Sequence, residues 1–166
     1  MPNVFEPDFE PSPEEDWPQG YAGRVARVGR EAGSQRLGAS VYEVPPDNST
    51  CPYHWHAANE ELLIVLRGRP TLRTPEAERE LAEGEVVAFP VGEQGAHKVI
   101  NDSEQPVQVL IISEMNEPEV AVYPDSGKVM ARQQAPGTEA SGLRELYFRS
   151  DAVDYWEGEV EPEGDR

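Results

Sequence analysis

Up to Ser113 the chain is cut into short apolar stretches, and no interval of ten or more residues before Glu114 carries a 3.6-residue apolar period. The cuts are made by glycine, proline and Asn/Asp/Ser turns, with sixteen prolines and fourteen glycines in 166 residues. This punctuation excludes a helix bundle and leaves short strands joined by tight turns. Strand-like runs fall at residues 24–29, 37–44, 53–56, 62–66, 71–74, 78–81, 86–89, 97–100 and 107–113. So many short strands in one compact stretch predict an all-β, antiparallel sandwich or barrel.

The flanks differ from this middle. Residues 1–22 form an acidic, proline-rich leader arm, residues 23–115 the β-barrel domain, and residues 116–166 a C-terminal extension. Within the extension, residues 120–123 read as one more strand and residues 133–141 as a linker. Leu143–Phe148 and Val153–Trp156 are too aromatic to be left in solvent, so they are expected to pack on the barrel or on a partner subunit; the last ten or so residues read as solvated.

Thirty-two acidic against fourteen basic residues give a net charge of −18. Such a surface repels phosphate backbones and anionic lipids, so neither nucleic acid nor a membrane surface is an expected partner. Twelve of the basic residues are arginines, and only Lys98 and Lys128 are lysines. That balance suits a halophile, where salt screens self-repulsion, and equally an ordinary acidic soluble protein. No apolar run reaches the ~18 residues of a spanning helix, and the start lacks the basic and apolar pattern of a signal peptide, so the cytoplasm is the expected location. The one cysteine, Cys51, excludes an intrachain disulfide framework and a cysteine-based zinc cluster.

The chemistry-bearing residues are few. The chain has three histidines, His54, His56 and His97. In a strand, His54 and His56 point to one face while Trp55 points to the other. Glu61 opens the next strand and His97 a later one. Three imidazoles and a carboxylate converging inside a barrel make a divalent-metal site with open positions for water or substrate.

These residues stand in a recognisable pattern. His54-Trp55-His56 is followed after four residues by Glu61 and after six more by Gly68. Further on, Gly84 is followed after five residues by Pro90-Val91-Gly92, then by His97 and, at the fourth position beyond it, Asn101. The chain thereby resembles the cupin superfamily in both of its motifs. Asn48 stands where the family's first motif has a leading glycine, and the gap from Gly92 to His97 is four residues where two is usual. The resemblance implies a jelly-roll barrel with extended N- and C-terminal arms, and a metal held by His54, His56, Glu61 and His97. Glu60 competes with its neighbour Glu61, and the six-residue interval to Gly68 favours Glu61. The metal is Fe, Mn, Ni, Zn or Cu, since this donor set suits each. Family members are often dimers with exchanged strands, and edge strands need cover, so a homodimer is expected.

Around the ligands, Asn101 and Gln108 are candidates to orient an imidazole or water, and Tyr53 to line the mouth. Arg67, Arg69 and Arg73 are candidates to meet an anionic substrate there. Cys51 reads as a buried inert thiol, residues 124–128 as a turn rather than a phosphate loop, and Glu114 and Glu117 as solvated carboxylates. The expected function is a metal-dependent enzyme on a small organic substrate, either an isomerase or lyase using Lewis-acid catalysis or a dioxygenase. The alternative is a non-catalytic barrel that binds or senses a small ligand.

Overall fold

The computed structural model describes residues 1–10, 17–135 and 142–159. Part of the leader (11–16), part of the expected linker (136–141) and most of the expected solvated tail (160–166) lie outside the described residues. Every strand pair is antiparallel. The first sheet is built on β2 (Leu37–Val44) and β10 (Val107–Glu114), which pair along their whole length. β1 (Arg24–Ala26) flanks β2, while β5 (Glu61–Arg67) and β8 (Val86–Phe89) continue beyond β10, giving the order β1-β2-β10-β5-β8.

Two four-stranded sheets oppose it. One has the order β3-β9-β6-β7, from β3 (Asn48–Ser49), β9 (Lys98–Asn101), β6 (Thr71–Arg73) and β7 (Glu78–Glu80). The other has the order β13-β12-β11-β4, from β13 (Arg144–Phe148), β12 (Lys128–Arg132), β11 (Glu119–Tyr123) and β4 (Trp55–His56). A single antiparallel bridge between His54, next to β4, and His97, next to β9, joins them. The result is the jelly-roll barrel expected from the sequence.

Alternation along the strands sorts the core. On β5, Leu63 and Val65 turn inward and pack with Leu72, Leu81, Phe89, Val99 and Val109 between the sheets. Ile64 and Leu66 turn outward, to a second cluster with Val28, Val41 and Leu110 that Val4 and Phe9 of the N-terminal arm help to cover. The arm is fixed there by the Glu10 amide, which donates to the Val25 carbonyl at 2.8 Å, and by the Arg24 guanidinium over the Phe9 ring. Where the sequence suggests that the first strand continues to residue 29, a short helix forms instead, α1 (Val28–Glu31). Gly29 makes this possible: a Cβ there would lie 2.7 Å from the Ala39 amide nitrogen, so only glycine lets α1 sit on β2. No helix among the described residues is long and apolar enough to cross a membrane.

Candidate metal centre

Strand register brings the three histidines together. His54 and His97 are directly opposed, with His54 N donating to the His97 carbonyl at 3.2 Å and His97 N to the His54 carbonyl at 2.9 Å. Opposed residues of an antiparallel pair share a face, and so do residues two apart on one strand, so the three imidazoles face the barrel interior. Glu61 comes from the opposite sheet, at the start of β5, paired with Phe89 and Ser113. All four side chains are buried.

The donor atoms lie close together. His54 Nε2 is 3.1 Å from His56 Nε2, and Glu61 Oε2 is 3.5 Å from His56 Nε2 and 3.3 Å from His97 Nε2. The far ring nitrogens are held by backbone: His54 Nδ1 donates to the Pro52 carbonyl and His97 Nδ1 to the Gly95 carbonyl, both at 2.9 Å. With those protons on Nδ1, the Nε2 atoms of both rings are left as acceptors; the mutually close donors are those of His54, His56 and Glu61, and His97 Nε2 meets them through Glu61. The ring of His97 also stacks on Phe89, with centroids 3.8 Å apart. His56 Nδ1 has no hydrogen-bond partner, and the nearest carboxylate is Glu119 Oε1 at 3.8 Å. Glu119 is fully buried and accepts from the Ala57 amide and the Asn59 side chain.

Electrostatics favour a cation at this point. Burial works against ionised Glu61, but His97, His56 and His54 outweigh it and hold the carboxyl below its usual range. Burial lowers the pKa of His97, which its bond to Glu61 offsets only in part. Burial also opposes protonated His54, yet the Cys51 thiol 3.6 Å from its Nδ1, together with Glu61, pushes its pKa up to about 9, while His54 lowers that of Cys51. The Tyr42 hydroxyl is pushed up to about 12, chiefly by burial and then by Cys51 and Glu61.

The donors fit a first-row divalent ion. Bonds of about 2.1 Å to nitrogen and oxygen set ligand-to-ligand edges of roughly 3.0–3.4 Å in octahedral or tetrahedral geometry. The three separations of 3.1, 3.3 and 3.5 Å match those edges. Lone pairs of neutral imidazoles facing one another at such distances repel unless a cation or proton lies between them. The donor atoms of His54, His56 and Glu61 all lie within 4.8 Å of one another. Glu60 is exposed, and its amide donates to Glu114, so of the two adjacent glutamates the structure brings Glu61 to the cluster.

Two cavities that share walls border the cluster, and His56 lines neither. An inner one of about 140 Å³ is lined by Cys51, His54 and His97, and an outer one of about 230 Å³ by Arg27, Arg30 and Ser40. Tyr42, Glu61 and Ile111 form walls of both.

Of the other residues singled out in the sequence, Cys51 is brought to this cluster: instead of a buried inert thiol it is half-buried, 3.6 Å from His54 Nδ1, and lines the inner cavity. The rest are not brought to it. The Asn101 amide donates to the Val44 and Gln105 carbonyls and its oxygen accepts from Ser103, so it ties down a turn. Gln108 donates to Glu43 instead of facing the imidazoles. Tyr53 lies under the Arg73 guanidinium and lines a separate cavity with Trp55 and Tyr123. Arg69 pairs with Glu80 and Arg73 with Asp125; they and Arg67 line neither of the two cavities at the histidines. Two features escape sequence reasoning. Glu119 lies just before the run 120–123 that reads as one more strand, and Arg27 lies in the first strand-like run, 24–29, with Arg30 just after it.

A protein-family model for the cupin domain matches residues 40–113. Among solved structures, the chain is similar to a candidate sugar phosphate isomerase from Acidithiobacillus ferrooxidans, at 25% identity and a TM-score of 0.72 over 81% of each chain. It is also similar to a cupin-superfamily sugar phosphate isomerase from Silicibacter pomeroyi, at 16% identity and a TM-score of 0.75 over 92% of this chain and 94% of that one. A polyketide cyclase from Streptomyces resistomycificus shares the fold at 23% identity and a TM-score of 0.54, over 69% of this chain and 78% of that one. No curated protein matches the sequence. The chain is therefore a cupin-domain protein, with that domain over residues 40–113.

Proposed function

We propose that the protein is a divalent-metal-dependent isomerase acting on a small polyhydroxylated carbonyl compound. The observation that carries this reading is the cluster of His54, His56 and Glu61, with His97 against Glu61, beside a cavity that His54, Glu61 and His97 line. The similarity at 25% identity to the A. ferrooxidans candidate sugar phosphate isomerase supports the reaction class. A divalent ion bound there supplies Lewis acidity to adjacent carbonyl and hydroxyl oxygens, acidifying the carbon between them.

The chain's own residues do the rest. His54 and His97, each fixed through Nδ1 by a backbone carbonyl, hold their Nε2 atoms in place before any ligand arrives. Glu61 is the one carboxylate among the described residues lining the two cavities, and it is held ionised. It is placed to bind the metal through one oxygen and hold the transferred proton on the other. Tyr42, neutral at physiological pH, is placed to donate a hydrogen bond to a substrate oxygen.

Two measurements test the reading: metal content of wild type and of the double variant His56→Ala/His97→Ala, and solvent-deuterium incorporation into a panel of small aldoses, ketoses and their phosphates. About one transition-metal ion per chain, lost in the variant, together with metal-dependent deuterium uptake is the expected result. Metal binding with no exchange across the panel would favour the ligand-binding barrel. Iron with oxygen uptake would favour the dioxygenase.

A further inference from the structure

The outer cavity brings two arginines beside Glu61, the one carboxylate among its described lining residues. The chain carries −18 overall, and the arginines Arg24, Arg69, Arg73 and Arg79 are paired on the surface with Glu43, Glu80, Asp125 and Glu85. Arg27 and Arg30 differ in place. Arg27 is the N-cap of α1 and Arg30 lies within it, Gly29 sets α1 tightly on β2, and both arginines line the cavity that has Glu61 as a wall. Both side chains border the same space, Arg27 half-buried and Arg30 exposed. The Arg27 Nε lies 3.3 Å from the exposed carboxylate of Glu10.

The same cavity offers polar groups between the arginines and the metal donors. Ser34 and Ser40 line it, and the Ser34 hydroxyl donates to the Leu37 carbonyl at 2.7 Å, which leaves its lone pairs as acceptors. Beyond Tyr42 and Ile111 the inner cavity begins, with His54 and His97. A molecule filling both would meet two arginines, Glu61, and the imidazoles of His54 and His97. In a molecule whose field repels anions, a paired cationic mouth selects a ligand with an anionic terminus. Guanidinium forks match the oxygens of a phosphate, and a dianion gains most from two of them.

We infer that Arg27 and Arg30 form an anion subsite that holds the terminal phosphate of the substrate, with the reacting carbons reaching inward toward Glu61 and the histidines. This rests on the isomerase reading for the substrate's far end, but the subsite itself can be tested without turnover. Inorganic phosphate, glycerol 3-phosphate, glycerate and glycerol would be titrated calorimetrically at low salt into metal-loaded and EDTA-treated protein. The same titrations would be run on Arg27→Gln/Arg30→Gln and on Arg30→Gln, which leaves the Arg27–Glu10 contact intact, with circular dichroism checking that each is folded.

Saturable binding of both phosphate probes is expected in wild type with or without metal, with none for glycerol. It should weaken at least tenfold in the double variant and measurably in Arg30→Gln. Equal phosphate affinity in wild type and variants, or none in wild type, would overturn the subsite. Glycerate binding as tightly as glycerol 3-phosphate would overturn its assignment to phosphate. Because EDTA-treated protein is included, loss of the isomerase reading through absent metal or absent exchange remains distinguishable from loss of the subsite.

Discussion

At the scale of single residues, His56 differs from the other two imidazoles in what faces its far nitrogen. Carbonyls of residues 52 and 95 fix His54 and His97, whereas His56 Nδ1 looks toward the buried carboxylate of Glu119 at 3.8 Å. A carboxylate behind a metal-binding imidazole raises its basicity and orients the ring. Glu119→Gln keeps the shape and an acceptor for the Ala57 amide but removes the charge. It is expected to weaken metal affinity about 10–100-fold, measured by competition with a chromophoric chelator. An affinity within about twofold of wild type would remove Glu119 from this role. The histidines and Glu61 were legible in the sequence because their spacing is local and strand alternation converts it to direction. Glu119 was not, because its place depends on β11 pairing with β4, Ala121 opposite His56, and no local pattern encodes that contact. Gln108 misleads for a related reason: alternation assigns a face only once the inward face of its strand is known.

A second residue-scale expectation concerns pH. Burial alone would raise the Glu43 carboxyl, but the side chains of Arg24 and Gln108 donate to it and hold it below its usual range. A carboxyl with a lowered folded-state pKa contributes stability that is complete above its unfolded value of about 4.3 and lost as pH falls through the lowered folded value. Wild type should therefore exceed Glu43→Gln in urea midpoint near neutral pH, with the gap closing as the solution is acidified below that value. A gap that stays constant through the acid range would contradict the assignment.

At the scale of elements, the loop before β9 does most of the positioning. Gly95 closes a single 3-10 turn over Glu93–Gly95 and packs so tightly that a Cβ would overlap the Pro90 carbonyl. Its own carbonyl accepts the His97 Nδ1 proton. Gly95→Ala must therefore shift the loop, and is expected to cost about 2 kcal/mol or more in unfolding free energy and to lower metal affinity as well. Chemical denaturation and chelator competition on the same preparation check both, and a variant unchanged in both would show that the loop yields elsewhere. The loop's four-residue length before His97 is thus filled by a turn with a positioning task. Among the strands, those with β-branched or alternating runs were readable, whereas β3, two residues long, and β12, which follows a turn in polar surroundings, were not. Both exist because a neighbouring strand supplies their hydrogen bonds.

At the scale of the whole molecule, the β13-β12-β11-β4 sheet ends in an edge that no other described residues cover. β13 pairs with β12 from Arg144 opposite Arg132 to Phe148 opposite Lys128, yet all five of its residues are exposed, with Leu146 at 46% and Phe148 at 54%. Tyr155 and Trp156 beyond it are exposed too, at 82% and 64%. An edge strand with apolar side chains on view templates further pairing unless something covers it. The expected occupant is a second copy of this chain. Light scattering should give twice the 18.4 kDa chain mass, and Leu146→Lys/Phe148→Lys should return the monomer. A wild-type monomer at micromolar concentration would refute the pairing.

The rung between His54 and His97 has a further consequence. It is the point at which the two four-stranded sheets meet, and it closes the length of chain that carries β5 to β8 into a loop. A metal ion seated on that rung binds the folded chain far better than the unfolded one, so by mass action the melting temperature should climb with the logarithm of free metal. The barrel is thereby a gauge of its own cargo, and heating it beside a series of metal buffers would rank ions by affinity before any substrate is known.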